Sequence, residues 1–244
     1  MPNPQVSLAS GTNVGRMRST NQDCALAVTS GDGEFALIVV CDGIGGMESG
    51  EVASSAVIEH VSGAIAAPSS GRWEALLAAV QAANTSIVRS AGPHRMGATM
   101  VAIAIENGQF SVAYVGDSRA YLVRQRVATP LTVDHSWVME RVELGLMTLE
   151  QAEQDPRRNI ITRAVGTDAE LEISTRESED VQNGDLLLVC SDGLHGVLAD
   201  DEIAAIATRG DDADAVVQLL ISRANEHGGP DNIGVAVGTV GGGS

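Results

Sequence analysis

The sequence predicts an α+β fold, with antiparallel sheets and helices packed outside them. Three observations predict it. Two apolar runs, Thr99 to Ile105 and Gln109 to Val115, are joined by Glu106-Asn107-Gly108, and Asn-Gly between apolar runs is a strong hairpin signal. Residues 48–66 and 72–90 carry apolar stripes at helical spacing. Strands and helices do not alternate regularly, as a parallel sheet would require.

The elements follow in order. Phe35 to Cys41 reads as a buried strand. A helix spans Glu48 to about Ala66, with Ala53, Val57, Val61 and Ile65 at four-residue steps. A second spans Arg72 to Ser90, with Trp73, Leu76, Leu77, Val80, Ala83 and Ile87 on its apolar face and Gly92-Pro93 ending it. The hairpin comes next, and Arg119 to Val123 extends its meander. Strands at Glu170 to Thr175 and Asp185 to Cys190 precede helices near Asp200 to Ala207 and Asp212 to Glu226. Val216, Val217, Leu220, Ile221 and Ala224 stripe the latter, and Asp211 or Asp212 caps it. Ile233 to Val240 is the last strand.

Residues 134–166 form an insertion with its own small elements. One helix runs from Trp137 to Leu144 and stops at Gly145. Another starts at Thr148, with Gln151 three positions on as a capping box. Beside a site, such an insertion is a candidate lid. Residues 1–240 thus read as one domain with a flap at 134–166, and 241–244 as a flexible tail.

Composition narrows the function. Of 244 residues, 44% are hydrophobic and only 2% aromatic, so Val, Ile, Leu and Ala build the core. The 32 acidic and 15 basic residues give a net charge of −17, which argues against nucleic acid or an anionic membrane as partner. Cys24, Cys41 and Cys190 lack metal-type spacing, and Cys41 and Cys190, inside apolar runs, read as buried thiols in a reducing compartment. No signal-type N-terminus or membrane-length apolar run is present, and no coiled-coil repeat, so a cytoplasmic monomer is expected.

The chemistry gathers at three stations where apolar runs end: Asp42-Gly43-Ile44-Gly45-Gly46, Gly116-Asp117-Ser118-Arg119 and Ser191-Asp192-Gly193. A lone Asp-Gly is usually a hairpin turn. Three on rigid strand ends, with Asp231 in Gly228-Gly229-Pro230-Asp231-Asn232, suit an oxygen-rich pocket for a hard divalent cation. Asp42 and the Gly43 carbonyl supply two oxygens, the glycine easing a sharp turn. Arg18 can grip a phosphate with two N–H groups. His94 and His135 are candidate proton donors, although a loop histidine is more often plain surface.

The ordered set is Arg18-x-x-Asn21-Gln22-Asp23, Asp42-Gly43-x-Gly45-Gly46, Gly50-Glu51-x-Ala53-Ser54, Gly97-x-Thr99, Gly116-Asp117-Ser118-Arg119, Thr132-x-Asp134-His135-Ser136, Ser191-Asp192-Gly193 and Asp231-Asn232. From about Arg18 to Val237 it resembles the metal-dependent protein phosphatases of the type 2C family, in their compact bacterial form. The resemblance implies an αββα sandwich with a metal cleft at one end. It implies hydrolysis of phosphoserine and phosphothreonine in proteins, with serine/threonine kinases and their substrates as partners. It implies Mn²⁺ or Mg²⁺, two ions in the core site and a third, weaker one. Asp42 would bridge the ions, Gly43 would lend its carbonyl, and Asp192 and Asp231 would hold the first ion. Asp117 would serve the third, with Asp23 close by, and Arg18 would hold the phosphate. Residues 134–166 would be the mobile flap. Two positions depart from the family pattern. Ile44 stands where many eukaryotic members have a histidine proposed as the acid, and Gln22 where they often have a glutamate ligand. The same residues also allow a silent phosphoprotein-binding module, or a hydrolase of small phosphorylated molecules.

Overall fold

Central strands are continuous apolar runs because both of their faces are covered. The computed structural model describes residues 5–45, 49–90, 96–210 and 212–241. The chain opens with β1 (Gln5–Asn13), β2 (Asp23–Thr29) and β3 (Phe35–Ile44), followed by α1 (Ser49–Ser62) and α2 (Arg72–Ser90). Then come β4 (Gly97–Ala98), β5 (Met100–Glu106), β6 (Gln109–Val115), β7 (Arg119–Arg124) and β8 (Val127–Pro130). Residues 134–166 hold α3 (Trp137–Glu143) and α4 (Leu149–Gln154). The chain ends with β9 (Ser174–Asp180), β10 (Leu186–Cys190), α5 (Asp192–His195), α6 (Asp200–Ala207), α7 (Ala213–Glu226) and β11 (Ile233–Gly241).

Two antiparallel sheets result. One has the order β1-β11-β10-β7-β8, the other β2-β3-β5-β6-β9, with β4 paired to β3. Alternation along the strands sorts side chains into three apolar layers. Leu37, Val39 and Cys41 face α1 and α2, packing on Val57, Leu76 and Val80. Ile38 and Val40 point the other way and meet Leu187 and Val189 between the sheets. Leu186, Leu188 and Cys190 face Ile203, Val217 and Leu220 of α6 and α7. This is the αββα sandwich.

Several elements follow the sequence closely. α2 and α6 have the expected bounds, and Asp212 caps α7 by accepting from the Ala215 N–H at 2.8 Å. Thr148 and Gln151 make the capping box, at 3.2 and 2.9 Å. The three cysteines are free thiols.

Other expectations need correction. β7 does not extend the hairpin meander. After β6, Gly116 at φ +105° turns the chain into the opposite sheet, where β7 pairs with β10 and β8. The strand expected at Glu170 to Thr175 lies later, because pairing with β6 selects the polar edge Ser174–Asp180. The first helix ends at Ser62 and continues as a 3₁₀ turn over Gly63–Ala66. β1 and β2 were not anticipated, and Leu77 and Trp73 are only partly buried. Gly46, Glu48, Gly92-Pro93, His94, Asp211 and 242–244 lie outside the described residues.

Candidate metal centre and phosphate site

Each acidic residue arrives on an element held from both sides. Asp42 ends the apolar part of β3, directly across from Asp23 of β2. Thr99 clasps its backbone twice. The Asp42 N–H donates to Thr99 Oγ1 at 2.9 Å, and the Thr99 N–H donates to the Asp42 carbonyl at 2.8 Å. Thr99 Oγ1 also meets Ser118 Oγ at 2.6 Å, which ties Asp42 to the segment carrying Asp117.

Gly43 is not at a turn. It stays in β3, and its lack of a side chain is required by α1, since a Cβ there would lie 2.2 Å from the Gly50 carbonyl. The sharp turn expected at this glycine is therefore replaced by a close approach of two backbones. Asp192 likewise is no hairpin residue; it opens α5. A Cβ on Gly193 would lie 1.8 Å from the Asn232 carbonyl, so α5 packs directly on the loop bearing Asp231.

Asp23 is buried, 5% exposed, and Ser191 fixes it. The Ser191 hydroxyl donates to Asp23 Oδ2 at 2.6 Å and accepts from the Gly234 N–H at 2.8 Å. Asp117 is 7% exposed, and its Oδ1 has no partner among the described residues. Asp231 Oδ2 takes an ion pair from Arg18 at 2.7 Å. Arg18 is also within electrostatic reach of Asp192 and Asp42.

The electrostatics follow from crowding. Desolvation, then the charges of Asp23, Asp192, Asp117 and Asp231, push Asp42 well above the usual carboxylate range. Desolvation lifts Asp23 to about 7, against the Ser191 hydrogen bond. Asp117 rises to about 7 through desolvation and the Asp192 and Asp134 charges, and Asp192 to about 6 through desolvation and Asp231. Such a cluster takes up positive charge, as protons or as cations.

Among the described residues no three Asp, Glu, His or Cys side chains are gathered as a finished cation cage. The donors present nevertheless fit a hard divalent ion. They are carboxylates and a backbone carbonyl without soft ligands, and Asp117 presents a buried, unpartnered oxygen.

His135 is not placed as a proton donor. Its Nδ1 accepts from the Gly116 N–H at 2.9 Å, its Nε2 contacts Ser174 Oγ at 3.0 Å, and its ring stacks on Tyr114 at 5.0 Å. Desolvation and Arg163 push it down to about 4, so it is neutral at pH 7. With Arg119, which grips Asp134 through two bonds of 2.8 and 2.7 Å, it fastens the start of the 134–166 segment to the Asp117 segment. His195, also lowered to about 4 by desolvation, contacts the Asp117 carbonyl through Nε2 at 3.0 Å. Thr99 stood within a recognised motif, but its grip on Asp42, like those of Ser191 on Asp23 and His195 on Asp117, carries no local sequence signal.

Fold and site together define a two-sheet sandwich with a cluster of aspartates at one end. A profile of the family described as Protein phosphatase 2C matches residues 10–228, and the chain belongs to that family. The serine/threonine phosphatase stp of Listeria monocytogenes is 34% identical over 235 residues, covering 92% of each chain. A solved serine/threonine phosphatase of S. agalactiae is 34% identical with a TM-score of 0.90, covering 97% of this chain and 100% of that one. The catalytic domain of the serine threonine protein phosphatase PstP, solved in complex with two manganese ions, is 30% identical with a TM-score of 0.80, covering 98% of this chain and 100% of that one. No helix among the described residues is long and apolar enough to cross a membrane.

Proposed function

We infer that this chain is a metal-dependent protein serine/threonine phosphatase that hydrolyses phosphoserine and phosphothreonine in proteins. The observation that carries the reading is the convergence of Asp23, Asp117, Asp192 and Asp231, from separate segments, around Asp42, with Arg18 paired to Asp231. Family membership supports it.

Asp42 and the Gly43 carbonyl would hold two divalent ions, manganese or magnesium, with Asp192 and Asp231 as further ligands of the first. Asp117, with Asp23 nearby, would hold a third and weaker one. When bound, such ions supply Lewis acidity that neutralises phosphoryl charge and acidifies water. Arg18 orients the substrate phosphate by paired N–H donation. Thr99 and Ser191 keep the carboxylates aligned before substrate arrives, so little reorganisation is needed. Ile44 carries no proton and His135 is committed elsewhere, so neither serves as general acid.

The finer reading is a single domain over 1–240, acting as a cytoplasmic monomer on serine/threonine kinases and their substrates, with 134–166 as a moving flap. The shared inter-sheet layer supports one domain, and the exposed Leu144, Leu146 and Leu149 support a flap that meets partners.

The test is hydrolysis of a phosphothreonine peptide with and without Mn²⁺, beside a small aryl phosphate. The expected result is Mn²⁺-dependent turnover of the peptide that Asp192→Ala abolishes. Turnover in a chelator, or full activity in that variant, overturns the proposal. Peptide binding without turnover would identify a binding module instead.

A further inference from the structure

Residues 14–22 join β1 to β2, carry Arg18 and contain no helix or strand. A polar loop of this kind needs partners to hold one shape. Gly15 sits at φ +78° and a Cβ there would lie 2.2 Å from the Asp231 carbonyl, so the loop presses against the start of β11. The N–H groups of Arg16 and Met17 donate to the Gly229 carbonyl at 2.8 and 3.3 Å.

The central fastening is one side chain. Asn232 is 5% exposed. Its Nδ2 donates to the Val14 and Thr20 carbonyls, each at 2.9 Å, and its Oδ1 accepts from the Gln22 N–H at 2.9 Å. These contacts straddle Arg18, one before it in the chain and two after. Two carbonyls and one N–H around the amide fix which end is oxygen. Only a carboxamide offers two donors on one atom and an acceptor on the other at this size. The neighbouring Asp231 meets the Arg18 guanidinium itself. Residues 231 and 232 therefore hold the tip and the base of the same loop.

We propose that Asn232 is a positioning residue for phosphate recognition, which clamps residues 14–22 so that Arg18 stands over the acid cluster. The proposal rests on Arg18 being the phosphate ligand. Asn232 touches neither substrate nor ion; it acts through Arg18. Its side-chain loss therefore affects phosphate more than metal, since the Asn232 backbone N–H keeps its own bond to Asp231 Oδ1 at 2.8 Å.

The experiment compares wild type, Asn232→Ala, Arg18→Ala and the double variant. Inorganic phosphate is the probe, as inhibitor of aryl phosphate hydrolysis and as titrant of the Mn²⁺-loaded protein. Asn232→Ala should weaken phosphate binding and raise KM about tenfold or more. Its Mn²⁺ affinity should stay within about threefold of wild type, and on the Arg18→Ala background it should add almost nothing. Hydrogen exchange on metal-free protein should show the Gln22 amide losing protection while β3 and β5 keep theirs. Full additivity with Arg18→Ala, an equal loss of Mn²⁺ affinity, or an unchanged Gln22 amide overturns the proposal. If the alanine variant does not fold, Asn232→Asp keeps the shape and the Gln22 bond but loses both donations. It should weaken phosphate binding only when Arg18 is present; weakening without Arg18 overturns the proposal. A wild type that binds phosphate but never turns over phosphopeptide would sink the functional reading and leave this one standing.

Discussion

Asp42 and Asp185 are both aspartates at the end of a central strand, and their surroundings are opposite. Asp185, 2% exposed, lies just before β10, at the opposite end of that strand from Asp192. Arg124 grips it with two bonds of 2.7 and 2.6 Å, and the Gln182 N–H adds a third at 2.7 Å. At that same end Asp32 receives Arg72, Ser30 and the Glu34 N–H, and the Arg72 bond above all holds its carboxyl below the usual range. Asp42, at the other end, has Asp23, Asp192, Asp117 and Asp231 for neighbours and is pushed upward. A carboxylate with a built-in arginine is part of the scaffold. A carboxylate surrounded by carboxylates is completed by a cation from solution.

This contrast can be broken at either end. The largest effect is expected for Asp42→Asn, which should cut phosphothreonine-peptide hydrolysis by about 10³-fold or more. The same change should raise the thermal stability of metal-free protein, because Asn can be buried there without taking up a proton. A metal-free melt that drops instead would end the comparison. Asp185→Ala should do the reverse. It leaves Arg124 without its buried partner and should cost about 3 kcal/mol of stability in denaturant titration, with kcat unchanged. Thr99→Val keeps the shape but orphans the Asp42 N–H, at a cost of about 1–3 kcal/mol. Its Mn²⁺ affinity should fall by about tenfold, read by calorimetry.

The smallest effect is a change of slope with pH. In metal-free protein, Asp23 and Asp117 at about 7 and Asp192 at about 6 bind protons that the unfolded chain has released, so they lose stabilising effect as pH rises from about 4 to about 7. His135 and His195, lowered from 6.5 to about 4, act oppositely and favour the folded state as pH rises through that window. The carboxylates outnumber the histidines, so the melting temperature in chelator should fall from pH 5 to pH 7. With Mn²⁺ the carboxylates hold the ion in place of protons, and the melting temperature should rise. Parallel slopes would show that the cleft carboxylates do not sense the metal.

Much of this was legible because it is local. The runs Phe35 to Cys41 and Leu186 to Cys190 are apolar at every position, which is what burial on both faces demands. The motifs around Asp42, Asp117 and Asp192 mark strand ends because the apolar run stops there. β9 carries no such mark, because Ser174-Thr175-Arg176-Glu177-Ser178-Glu179-Asp180 is a mostly exposed edge with no apolar signal. β1 is weakly marked for a similar reason, since only Ala9 of its residues is buried. The grips of Thr99 on Asp42 and of Asn232 on the Arg18 loop span 57 and about 210 residues of chain, beyond any local pattern.

From the chain alone came the layered class, the helix spans with their caps, and the carboxylates with Arg18 as the candidate chemistry, because each depends on neighbours within a few residues. Only the tertiary structure decided that β7 crosses to the opposite sheet, that Gly43 yields space to α1 rather than turning, and that His135 fastens its own segment to Gly116 and Ser174. Those outcomes depend on which distant backbone comes within hydrogen-bonding or contact distance, and that is settled by how two sheets and their helices pack, not by the residues on either side.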